Sequence, residues 1–175
     1  AYARSNVGIY DYRIITPFKF IGSAGVQFGK IGLLNVEYET QDYASIDYRD
    51  GAGAKLTGLN NEITTSLGRV HNIRVGGEIR VDMLSFRLGG GYYTSPYTEN
   101  TFSLDNDTKM LSAGFGIGSN NVFFDVGYSL VAFQNSIGMY TVELDETQYS
   151  DEVIYNISKN TIINHRVLTT IGFRF

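Results

Sequence analysis

The chain contains no cysteine and no tryptophan, and only 2 of its 175 residues are proline. The missing thiols exclude disulfides, thiolate metal sites and a cysteine nucleophile. Charge is scarce as well: Asp, Glu, Lys and Arg make up 18 % of the residues, against about 25 % in an average globular chain. With 14 Lys+Arg against 18 Asp+Glu, the net charge is −4. The basic stripe that a nucleic-acid binder needs is therefore lacking. No apolar run approaches the roughly 18 residues of a membrane-spanning helix. The opening residues Ala1-Tyr2-Ala3-Arg4 have neither an apolar core nor a cleavage site, so no signal peptide is expected there.

What is abundant is Gly (20), Tyr (13) and Phe (11). So many rings argue against disorder, and the apolar residues recur every second position, the period of a strand and not of a helix. Seven segments show it. Phe18, Phe20, Ala24, Val26 and Phe28 share one parity, and Lys19, Ser23, Gly25 and Gln27 take the other. The same holds for Leu34-Val36-Tyr38, Ile73-Val75-Ile79-Val81, Phe86-Leu88-Tyr92, Leu111-Ala113-Phe115-Ile117, Phe124-Val126-Tyr128-Leu130 and Val167-Ile171-Phe173-Phe175. Successive side chains of a strand point to opposite faces, so each segment has one greasy and one polar face. The charges Lys19, Glu37, Glu39, Arg74, Glu78, Arg80, Arg87, Asp125, Arg166 and Arg174 all fall on the polar parity.

Connections alternate between tight and long. Gly29-Lys30-Ile31, Asp82-Met83 and Ser119-Asn120-Asn121 carry turn residues. Residues 44–69, 97–108 and 134–160 are long and polar, with one helical turn expected in 60–68 and strand extensions at 139–144 and 153–157. Short turns on one side and long loops on the other are the habit of transmembrane β-barrels. A water-soluble lipocalin-like barrel alternates too, but its wet face would be rich in Lys and Glu. Here that face is Gly, Ser and Asn with scattered charges of both signs, which suits a crowded polar interior. An Arg or Lys at the bilayer midplane costs about 2–4 kcal/mol, which explains the uncharged greasy parity. Rings gather at both strand ends, Phe28, Phe86, Phe124, Phe173 and Phe175 at one and Tyr38, Tyr43, Tyr92, Tyr97, Tyr128 and Phe133 at the other, as in interfacial aromatic belts.

The first segment, read as Tyr12–Phe28, runs toward a short turn, and so does the last. A chain that starts and ends in one direction has an odd number of strands, whereas a closed antiparallel barrel with both termini on one side needs an even number. Residues 2–9 are too short for the 9–11 residues of a crossing. The expectation is the C-terminal part of a larger barrel, with a complete eight-stranded barrel as the alternative.

Thr16-Pro17-Phe18-Lys19-Phe20-Ile21-Gly22-Ser23-Ala24, Val36-Glu37-Tyr38-Glu39, Asn72-Ile73-Arg74-Val75-Gly76-Gly77-Glu78, Gly90-Gly91-Tyr92-Tyr93-Thr94-Ser95-Pro96-Tyr97 and Thr169-Thr170-Ile171-Gly172-Phe173-Arg174-Phe175, in that order and spacing, resemble the C-terminal half of the FadL/TodX family. These are outer-membrane transporters of long-chain fatty acids and other hydrophobic compounds, sometimes described as haemin receptors. The resemblance implies a fourteen-stranded antiparallel barrel of which these seven strands are half, an N-terminal plug, and a lateral opening, the last two outside this chain. It implies outer-membrane lipid and a hydrophobic small molecule as partners, and the closing aromatic Phe175 is similar to the signal read by barrel-assembly machinery.

In the larger barrel, Glu37, Glu39, Arg74, Tyr93 and Arg166, on the polar parity near the long-loop ends, line the vestibule. Arg74 or Arg166 offers bidentate geometry to a ligand carboxylate; the competing reading is that these charges pair with one another across strands to satisfy a polar interior. Haem needs an axial ligand such as His, but His71 and His165 take the greasy parity and face the headgroups. No nucleophile elbow, metal-ligand spacing or P-loop occurs, so neither an enzyme nor a cofactor is expected. The acidic stretch Glu143, Asp145, Glu146, Asp151 and Glu152 reads as a solvated loop.

Overall fold

A computed structural model describes residues 10–98, 106–119, 121–142 and 154–173. Among the described residues nine strands and one α-helix follow in chain order, with a short 3-10 helix at Tyr43–Ser45 between the third and fourth strands: β1 Tyr12–Ile15, β2 Lys19–Phe28, β3 Gly32–Asp42, β4 Asp47–Asp50, α1 Thr57–Ser66, β5 Arg69–Val81, β6 Leu84–Tyr93, β7 Thr108–Gly118, β8 Val122–Val142 and β9 Ile154–Phe173. Seven of them make one antiparallel sheet in the order β2-β3-β5-β6-β7-β8-β9, each neighbour the next long strand along the chain. These are the seven alternating segments of the sequence. Among the described residues no pairing joins β2 to β9, so the sheet does not close. Residues 2–9, the acidic stretch and Phe175 lie outside the described residues.

Turn chemistry sets the register. Gly29 adopts φ +58° and Asp82 φ +53°, a left-handed conformation that Gly enters freely and Asp more easily than most residues. The Ile31 N–H donates to the Phe28 carbonyl (3.1 Å), and the Arg80 N–H to the Ile31 carbonyl (2.6 Å), so one short turn is tied to the neighbouring strand. The Gly118 N–H donates to the Met83 carbonyl (2.8 Å) in the same way.

The greasy parity forms one exposed face. Phe20, Val75 and Phe115 on it are 52 %, 46 % and 40 % exposed, and the sole large hydrophobic residue buried among the described residues is Val70. The opposite face is concave, since residues of β3 and β5–β9 line a single trough. This sheet therefore has no apolar core of its own.

Three features differ from the expectation. The stretch Tyr12–Phe28 is not one strand: the run breaks at 16–18, where Pro17 has no N–H to give a ladder. The detached β1 pairs with β4 in the first long connection, Tyr12 opposite Asp50, and the Tyr12 and Tyr48 rings stack at 6.3 Å. Second, α1 has ten residues, not one turn. It is held by Asn60, whose Oδ1 accepts the Tyr48 N–H (2.7 Å) and whose Nδ2 donates to Asp47 Oδ1 (2.9 Å) and the Tyr48 carbonyl (3.0 Å). Third, the strands outrun the alternating segments at the long-connection end. There charges enter on the greasy parity: Asp42 and Arg69, paired at 3.0 Å, and Lys109, opposite Tyr92.

The long connections form an ordered layer. The Gly68 N–H donates to the Pro96 carbonyl (2.8 Å), the Thr98 N–H to the Ser66 carbonyl (3.0 Å), and the Thr98 hydroxyl to the Thr65 carbonyl (2.7 Å). The first and second connections are thereby joined. Within the first, the Arg49 guanidinium hydrogen-bonded to Asp47 (2.8 Å) holds its carboxyl below the usual carboxylate range, and Lys55 at 3.5 Å adds to this.

Candidate functional site: the polar trough

Alternation carries every second side chain of β3 and β5–β9 into the trough, whose volume is 710 Å³. Two clusters of charge occupy this face. In the one nearer the long connections, Glu39 accepts from Lys19 (3.1 Å), Asn72 (3.1 Å) and Arg74 (2.6 Å). Arg74 also reaches Glu37 (3.1 Å), and its guanidinium lies 5.6 Å from the centre of the Tyr93 ring, within cation–π range. In the second, nearer the short turns, Glu78 pairs with Arg80 and with Arg87 (2.6 Å), and Arg87 reaches on to Asp125 (2.5 Å). Each cluster holds two cations and two anions. Neutral, hydrogen-bonded groups are the form in which charge is tolerated away from bulk water.

Glycines on the polar parity make room for these clusters. A Cβ at Gly91 would lie 2.9 Å from the Tyr93 ring, and one at Gly116 would collide with Asp125 Oδ1 and Ser85 Oγ. At Gly91 a hydrogen in place of a methyl lets the Tyr93 ring fold back over its own strand, and at Gly116 it lets Asp125 lie across β7 toward Arg87.

Of the five residues the sequence placed in the vestibule, Glu37, Glu39, Arg74 and Tyr93 come together in one cluster. Arg166 stands apart. It lines the trough opposite Ser129, and no described side chain pairs with it. Sequence reasoning missed Lys19 and Asn72 as partners of Glu39, and missed the second cluster. Part of that cluster was readable: Glu78 and Arg87 sit four residues either side of the Asp82-Met83 turn, and so face each other in a two-residue hairpin.

On the greasy face, the Tyr38 hydroxyl bonds His71 Nδ1 (2.7 Å) and the Tyr128 hydroxyl bonds His165 Nδ1 (2.6 Å). Both imidazoles thus stand outside the trough; His71 is near the long-connection end of β5, whereas His165, expected at that end of its strand, lies within β9 in the row that runs through Leu130, Leu111 and Gly90 to Val75. Among the described residues no group of His, Cys, Asp and Glu is arranged to hold a metal ion, and no helix is long and apolar enough to cross a membrane. No protein-family model matches this chain, and neither does any curated protein sequence.

Proposed function

We propose that this chain is the C-terminal part of a fourteen-stranded outer-membrane β-barrel of the FadL/TodX kind, which passes hydrophobic small molecules such as long-chain fatty acids through its lumen. The observation that carries this reading is the contrast between the two faces of one sheet. The outer face is apolar, exposed and free of charge except at its ends, and the inner face holds charge in neutral clusters. In water the outer face would lack any partner for its side chains, whereas hydrocarbon tails supply one. The height agrees. From Val81 to His71, ten residues at about 3.4 Å each, tilted about 40°, rise about 26 Å, close to the roughly 25 Å apolar band of such barrels. Phe28, Phe86 and Phe173 mark one rim, and the Tyr38–His71 pair marks the other.

The resemblance in sequence supplies the substrate class, and the closing Phe175 is the handle for barrel-assembly machinery. The test is binding of oleate to the full-length protein extracted from outer membranes. Saturable binding supports the reading. An intact barrel that binds no oleate would refute it and leave a structural or adhesive barrel, with its joined loops as the partner-binding surface.

A further inference from the structure

On β3, β5 and β6, strands with a neighbour on both sides, three glycines fall on the greasy parity: Gly32, Gly77 and Gly90. Glycine weakens a strand interior, and there it marks a bulge, a tight bend or the close approach of another molecule. The ladders run through Gly77 and Gly90 without a register shift, and neither residue has a positive φ. Nor does the protein itself fill the space. Beyond its chain neighbours, a Cβ at Gly77 would meet nothing nearer than the Leu33 carbonyl at 3.5 Å, and one at Gly90 only the Met110 carbonyl at 3.6 Å. These are ordinary contacts, unlike those at Gly91 and Gly116 on the polar face. Close approach from outside is what remains.

The register sets the three in file. Each stands one strand further along the sheet and two residues nearer the long connections than the last, and the next place in the file is Lys109 on β7. The row that begins at Phe28 and Gly32, beside their short turn, lies two residues from the end of β5 at Ile79 and four from the start of β8 at Val126. Rows therefore climb away from the short turns, as the stagger of a tilted barrel requires. A file that climbs each strand as well runs close to the barrel axis. Its three steps of about 8 Å make about 25 Å, matching the roughly 25 Å apolar band. Large side chains wall it: Leu34 and Leu88 flank Gly77, and Val75 and Leu111 flank Gly90. Over Gly32 and Gly77 lies a cavity of 370 Å³.

A charge stands at the outer end. Lys109 is exposed on the greasy parity between Tyr92 and Ala132. The carboxylate on the same strand and face, Asp107, receives the Tyr92 hydroxyl and the Ser95 N–H (2.8 Å). A groove one residue wide with an ammonium at its mouth matches an extended hydrocarbon chain below an anionic group, whereas the convex face of a second barrel does not reach the floor. We infer that the file seats a phosphate-bearing anionic lipid of the surrounding membrane, its headgroup on Lys109 and one acyl chain along Gly90 and Gly77. From Lys109 to Gly77 is about 17 Å, close to the roughly 15 Å that one leaflet gives to the hydrocarbon core. The inference rests on the outer face meeting lipid and not on the passage of any solute.

The experiment compares phosphatidylglycerol with phosphatidylcholine, each spin-labelled near the chain end, on the full-length protein in phosphatidylcholine vesicles. Electron paramagnetic resonance reads the fraction of chains that the protein immobilises. An exposed ion pair corresponds to about a two- to fivefold preference for the anionic lipid. Lys109→Gln should abolish that preference and leave phosphatidylcholine unchanged. Gly77→Val and Gly90→Val, made separately, fill the floor with a residue that suits a strand; each should lower the immobilised fraction of both lipids and the preference with it. Circular dichroism checks that the variants keep the native barrel. Equal association of the two lipids with the native protein, or a preference that survives Lys109→Gln or both valines, would overturn the site while leaving a lipid-facing sheet. A native dimer that Gly77→Val converts to monomer, read by light scattering, would overturn it too and give the groove to a second copy. Protein that does not insert into the vesicles would overturn the site and the membrane reading together.

Discussion

An arginine at Val75 tests which solvent the apolar face meets. Val75 sits six residues from either end of β5, so about 16 Å of tilted strand lies above and below it. That puts it at the centre of the apolar band, where an arginine costs about 2–4 kcal/mol. Val81 is the control. It has the same side chain on the same face of the same strand, but sits at the short-turn end, where the cost falls to about 0–1 kcal/mol. Both substitutions remove a valine, so their difference isolates depth. Reversible urea unfolding from phospholipid bilayers should show Val75→Arg less stable than Val81→Arg by about 2–3 kcal/mol, a factor of roughly 30 to 150 in the folding equilibrium. If this face met water, both arginines would be surface changes within about 0.5 kcal/mol of the native protein. Equal effects at the two depths would refute the membrane reading.

Three further outcomes are expected. A double-mutant cycle on Glu78→Gln and Arg87→Gln should give a coupling of about 0.5–3 kcal/mol in urea unfolding, since the two side chains bond directly at 2.6 Å; additive effects would deny the pair. Gly116→Val should cost about 1–3 kcal/mol in the same assay, because its Cβ meets Asp125 and Ser85, whereas Gly58→Ala, with open space around it, should not destabilise. The Asp47 carboxyl is depressed by Arg49, so its contribution is complete above the ordinary carboxylate pKa and is lost as pH falls through the lower folded value. Exchange of the Tyr48 amide, held by Asn60, should therefore speed up only in acid below about pH 4, and Asp47→Asn should remove that dependence.

The long strands were legible because a sheet with unlike faces writes a period of two into its sequence, and charge confirms the phase. Their partners were legible wherever a tight turn fixes the register, as with Glu78 and Arg87. Contacts that depend on a neighbour beyond the hairpin were not. Asp125 meets Arg87 across the intervening β7, and nothing local in either segment announces it. The pairing of β1 with β4 is hidden for the same reason: Tyr12–Ile15 alternates no differently from the strand that follows it, and only Pro17 marks the break. The helix was underread because Thr57–Ser66 is rich in Thr, Asn and Gly, poor helix formers. Its length comes from tertiary anchoring through Asn60, which propensity does not record. Arg166 shows the limit for the site: the sequence put it with Arg74, and only the cross-strand geometry shows Arg74 joined to Glu37 and Glu39 while Arg166 stands opposite Ser129.

Strand direction bears on how the sheet can close. β2 and β9 both run from the long-connection end toward the short-turn end, so two copies of this sheet set edge to edge would meet along parallel strands. Open edges do not survive in hydrocarbon, and antiparallel closure takes an odd number of further strands between β9 and β2. One such strand would make a narrow barrel whose interior is filled by side chains. The space above the polar face, between the two ion-pair clusters, would then be closed. Seven such strands would leave the trough open as a lumen. The trough that β3 and β5–β9 line is thus kept as open space only in the wide barrel proposed above, which ties the closure of the sheet to passage through it.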